Sequence, residues 1–99
     1  MNLPNGWYKA DEEESSRLKK ELNIEIIPGH FLHGKNVKVV AHRDGATDDI
    51  LCKHVEENDL YTVVHLTWRM QPEINVDHPT IEMHGSFHEF VEYEARWCV

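Results

Sequence analysis

Eight histidines in 99 residues are the side chains of this sequence best equipped for chemistry. Imidazole is both a metal ligand and the side chain that ordinarily titrates near neutrality. Spacing decides what they can do. His30 and His33 are the tightest pair, but they follow Pro28-Gly29, a turn signal, and so read as loop residues. His84 and His88 stand four apart, the spacing of one helical face, yet Gly85-Ser86 intervenes and marks a helix start. No HExxH and no paired cysteines accompany them. The pattern predicts surface histidines, with His65 packed within a strand, and neither a metal nor another cofactor. A region built from His30, His33 and His65 is the alternative, on which a small enzyme or metal-binding domain would rest.

Nucleophiles are poorly supported. Gly85-Ser86 is not a GxSxG elbow, and Ser86 reads better as a helix cap. Cys52 and Cys98 form no CxxC pair, which argues against a disulfide framework or a zinc site built on them; they read as a strand residue and a terminal thiol. His42, His65 and Asp49 are acid-base residue types, but nothing in their spacing assigns a reaction. No catalytic residue is expected, and the chain does not read as an enzyme.

Charge is the stronger signal. The formal net charge is −8, and it is unevenly placed. Residues 1–43 hold six acids against seven bases, whereas residues 44–99 hold twelve acids against Lys53, Arg69 and Arg96. Asp44, Asp48, Asp49 and Glu56, Glu57, Asp59 fall in the two loops flanking the second strand-like run, at opposite ends of a meander. Glu92 and Glu94 lie near the end of the last helix, where the macrodipole disfavours negative charge. These eight carboxylates are the expected partner-binding residues, and a basic protein is the partner they would steer. Nucleic acid is excluded, since its phosphates need a basic face and only Lys35, Lys38 and Arg43 could form a small strip. The charge is also conditional: with all eight histidines protonated near their ordinary value of about 6.5, it falls to zero. Solubility and binding to a basic partner are expected to weaken toward the sequence pI of 5.4.

The elements that must position these residues follow from periodicity and caps. A helix is predicted over 11–23, capped by Asp11 with Glu14 three positions on, with Leu18, Leu22 and Ile26 as its apolar stripe. Lys19 and Lys20 would complement its C-terminal dipole. Pro28-Gly29 ends it. Strand-like runs cover 36–43, 49–55 and 60–68. The first two alternate as a half-exposed hairpin does, and the third is apolar on both parities, as a central, doubly covered strand would be. Residues 70–79 read as a loop and 80–84 as a short edge strand. A last helix spans about 87–95, with Ser86 and Glu89 as a capping box. The prediction is one α+β domain over 1–99: a three- to four-stranded antiparallel sheet packed in two layers against N-terminal and C-terminal helices. Its expected core is Trp7, Leu18, Leu22, Val39, Ile50, Val64, Leu66, Phe87 and Phe90. The absence of a long apolar run and of signal-peptide features predicts no membrane association and a cytoplasmic location, and a monomer or weak dimer is expected.

Gly6-Trp7-Tyr8, Pro28-Gly29-His30 with Leu32-His33-Gly34, Asp48-Asp49-Ile50-Leu51 and Val63-Val64-His65-Leu66-Thr67-Trp68 together resemble a group of small uncharacterised bacterial proteins. Their shared pattern is GWY, PGHxLxG, DD[VI]L and HLTW in that order. This chain departs from it after Trp68, where Arg69-Met70-Gln71 replaces a more polar, glycine-containing turn. The resemblance implies fold membership and carries no catalytic residue. In role, a small acidic chain without catalytic motifs resembles immunity proteins, which neutralise a cognate toxin such as a basic nuclease. The leading expectation is therefore an immunity-type binding module.

Overall fold

The computed structural model describes residues 2–43, 49–68 and 78–96. Five strands and two helices follow in the order β1 (Trp7–Lys9), α1 (Glu12–Glu25), β2 (Val37–Arg43), β3 (Asp49–His54), β4 (Tyr61–His65), β5 (Thr80–Gly85) and α2 (Phe87–Ala95). The strands form one antiparallel sheet in sequence order, β1-β2-β3-β4-β5. The expected α+β antiparallel architecture holds. The strand count is corrected to five by the three-residue β1, which pairs Trp7 with Arg43 at the β2 edge.

The helices cover opposite faces of the sheet, which corrects the two-layer expectation. Side chains alternate across a strand, so Ile50 and Cys52 of β3 face one way and Leu51 the other. Ile50, Cys52, Val39 and Val64 cluster with Leu18 and Leu22 of α1. Leu51, Ala41, Val63 and Trp7 cluster with Phe90 of α2. β3 and β4 are therefore buried on both parities, and β3, expected to be half exposed, is the central strand. Of the expected core, Phe87 alone is only partly buried, packed against the second cluster.

Both helix starts follow the predicted chemistry. The Asp11 carboxylate accepts the Glu14 N–H, and Ser86 with Glu89 forms a complete capping box. The first helix runs past Asn23 to Glu25, so Lys19 and Lys20 sit in its middle and its last turn holds no base. Lys19 instead donates to the Val37 carbonyl, and the Ser15 hydroxyl donates to the Val39 carbonyl at 2.6 Å, seating α1 on β2. Glu25, fully buried, accepts the N–H groups of Thr67 and Trp68 at 2.8 and 2.9 Å. It thereby ties the helix end to the chain leaving β4 and holds Trp68 in its left-handed conformation (φ 58°). Gly29 and Gly34 adopt φ of 98° and 79°, which explains glycine at both places in the turn that leads to β2.

Two register shifts shape the sheet. Val40 is the extra residue between Val39 and Ala41, and Glu82 the extra residue between Ile81 and Met83. A bulge of this kind re-aims a side chain. It turns the Glu82 carboxylate toward the α2 face, beside His65. Among the described residues no helix is long and apolar enough to cross a membrane.

Candidate functional site

β3, β4 and β5 each contribute one polar residue to two clusters, which lie on opposite faces and at opposite ends of the sheet. The first cluster is on the α2 face. Asp49 opens β3 and His65 closes β4, and the register places them directly opposite each other. The His65 Nδ1–H donates to Asp49 Oδ1 at 2.7 Å, and Glu82 Oε1 lies 3.9 Å from the same nitrogen. The other Asp49 oxygen accepts from Arg43 Nε at 2.8 Å. Arg43 also donates both Nη groups to Glu94 of α2, at 2.7 and 2.8 Å, a bidentate fork that pins α2 to β2.

Trp7 completes this arrangement. Its indole N–H donates to Glu94 Oε1 at 2.8 Å, and its ring lies 4.7 Å beneath the guanidinium. Glu94 holds Arg43 firmly in its charged form, with Asp49 adding to the effect. Burial first, then the neighbouring Asp49, pushes the Glu82 carboxyl above the usual range.

The second cluster is on the α1 face. Thr62 Oγ1 lies 2.7 Å from His54 Nε2 and 2.8 Å from His84 Nδ1, linking two imidazoles through one buried hydroxyl. His54 and His84 meet edge to face at 5.3 Å, and Phe31 stacks edge-on against His84 at 4.8 Å. Burial, His84 and Lys35 together push His54 below its ordinary value, with Glu57 opposing. This cluster floors an open cleft of about 440 Å³, whose walls include Phe31, Lys35, Glu56 and Glu57. Phe31 is 48% exposed, and Val55, next to Glu56, is 52% exposed.

The eight expected partner-binding acids separate accordingly. Glu56, Glu57, Asp59 and Glu92 are exposed. Asp59 also accepts the Phe87 N–H at the start of α2. Asp49 and Glu94 are corrected: both are buried and bound to Arg43, so neither presents a surface charge. Asp44 and Asp48 lie outside the described residues, as do Cys98 and most of the 70–79 segment. Arg43, expected in a basic strip, is the hub of the buried ion pairs.

The alternative His30/His33/His65 region is not assembled as expected. His30 is buried with both ring nitrogens engaged: Nδ1 accepts the Leu32 N–H at 3.0 Å, and Nε2–H donates to the Pro79 carbonyl at 2.7 Å. It is a structural staple, and His33 is exposed. Cys52 is fully buried and its thiol is pushed up to about 12, so it stays protonated and inert.

Sequence reasoning missed Thr62, His54, Phe31 and Glu82. His54 and Thr62 sat in runs read only for their periodicity. Phe31 sat in the PGHxLxG turn between two residues that are buried, and its exposure follows from that local alternation. In comparisons with known proteins, no family model, curated protein or solved structure matches the chain.

Proposed function

We propose that the chain is a protein-binding module that grips a basic partner at the cleft between the β3–β4 turn and the loop after α1, most concretely as an immunity-type inhibitor of a toxin domain. The observation that carries this reading is one cleft walled both by a half-exposed aromatic ring, Phe31, and by the carboxylates of Glu56 and Glu57. An arginine or lysine from a partner would meet ring face and counter-charge together. Val55, adjacent in sequence to Glu56, adds exposed apolar surface on the same turn. Acid on this turn favours fast, salt-sensitive encounter with a basic surface. The proposed binding residues are thus narrowed to Glu56, Glu57 and Asp59 with Phe31.

Co-expression with the polypeptide encoded immediately upstream, followed by association kinetics at two salt concentrations, tests the proposal. A one-to-one complex is expected whose association rate drops about tenfold or more in the Glu56→Lys/Glu57→Lys variant. Phe31→Ala should act on dissociation, costing about 2 kcal/mol, or roughly thirtyfold in affinity, as a central aromatic anchor does. A complex whose kinetics ignore all three substitutions would sink the cleft reading.

A further inference from the structure

The α2-face cluster has an unbalanced charge account. One guanidinium, Arg43, is shared by two buried carboxylates, Asp49 and Glu94, and a third carboxylate, Glu82, is brought beside them. Its bidentate fork is taken by Glu94, so Asp49 keeps only the single Nε contact. Carboxylates withdrawn from water are compensated by hydrogen bonds, as Glu25 is, by holding a proton, or by a nearby cation. His65 stands beside Asp49 and Glu82, where a cation would serve both.

The ligand atoms of Asp49, His65 and Glu82 all lie within 4.8 Å of one another, and among the described residues no other trio of such side chains does so. Ligands of a tetrahedral zinc ion at about 2.1 Å stand about 3.4 Å apart. The observed separations of 2.7 and 3.9 Å from His65 Nδ1 bracket that value. Three further features make this a built arrangement. Arg43 fixes one Asp49 oxygen and leaves the other toward His65, as outer partners orient ligating carboxylates. The strand register sets Asp49 against His65. The β5 bulge turns Glu82 to the same face.

We propose that Asp49, His65 and Glu82 form a binding site for a divalent first-row transition ion, zinc foremost, with three protein ligands and an open outer position. Binding takes the place of the His65 Nδ1 proton. An imidazolium releases that proton to solvent and keeps the one on Nε2, whereas a neutral ring shifts its single proton to Nε2. In both cases the ion joins the two carboxylates. One imidazole with two carboxylates selects zinc or manganese over magnesium, which takes oxygen ligands and dehydrates reluctantly. This site is on the opposite face from the proposed partner cleft and does not depend on it.

Calorimetric titration of the folded chain with zinc sulfate, manganese chloride and magnesium chloride tests the proposal. One zinc per chain is expected, manganese more weakly, and magnesium not at all. His65→Ala and Glu82→Gln should each weaken zinc at least about tenfold, since even outer partners register on that scale. Both residues are partly exposed, so the variants should keep the wild-type circular dichroism; Asp49 is left intact because Arg43 relies on it. His88→Ala removes the exposed His88–Glu92 pair on α2 and should leave binding unchanged. No binding up to about 100 µM zinc, a weak regime by affinity arithmetic, would overturn the site. So would binding that survives both His65→Ala and Glu82→Gln, or that disappears with His88→Ala.

Discussion

The two clusters use the same three strands in opposite ways. On the α2 face, β3, β4 and β5 present Asp49, His65 and Glu82; on the α1 face they present His54, Thr62 and His84. The first buries formal charge and answers it with Arg43 from β2. The second buries a hydroxyl between two imidazoles and opens onto a cleft. The comparison teaches that acidity in this chain occurs in two settings. Some carboxylates hold the layers together, and others remain in water.

The sharpest way to break the comparison is Arg43→Met. It would leave Asp49 and Glu94 buried without their cation and should cost about 3–5 kcal/mol, read as a fall in urea midpoint. Adding Glu94→Leu should return part of that loss, because an apolar pair tolerates burial that a lone carboxylate does not. Thr62→Val keeps the shape of the neutral cluster and removes its shared hydroxyl. A smaller loss of about 1–3 kcal/mol is expected, the cost of leaving a buried polar group unpaired. If the two substitutions cost the same, the distinction between charged and neutral burial fails.

The smallest effect is pH dependence at His54. Its ordinary value is 6.5 and the fold depresses it, mainly by burial, with His84 and Lys35 also opposing the proton and Glu57 attracting it. Well above 6.5, from about pH 7.5 upward, His54 is neutral in both states and contributes no slope. As pH falls below 6.5 the unfolded chain takes up the proton first, so stability declines until the folded His54 also protonates. The decline between about pH 7.5 and about pH 5.5 should be shallower in His54→Gln when unfolding is followed in urea. An unchanged slope would mean His54 is not held neutral. The same depression means that the net charge shrinks less on mild acidification than eight ordinary histidines would give.

Local chemistry made the helices and most strands readable. Caps at Asp11 and Ser86 and the apolar stripe of α1 are short-range signals. Trp7–Lys9 is too short to show a strand period, so the fifth strand escaped notice. Which face each helix covers is set by tertiary packing, and alternation within a strand leaves it open. In the candidate sites the limit was distance along the chain. Glu94 looked like a surface acid placed against its helix dipole, and that conflict was the usable clue. Its explanation, Arg43, lies 51 residues away. His54, Thr62 and His84 are joined only once the sheet register is known.

The sequential strand order has a kinetic consequence. A meander lets β2 to β5 pair each with its chain neighbour, so these steps close relatively short loops and carry modest entropy costs. The Trp7–Glu94 bond is different, closing a separation of 87 residues. Its closure cost is least once the sheet has already brought the two ends of the chain together. Trp7 is therefore placed to act late, adding little to the rate of folding and much to the lifetime of the folded chain, as a contact absent from the transition state does.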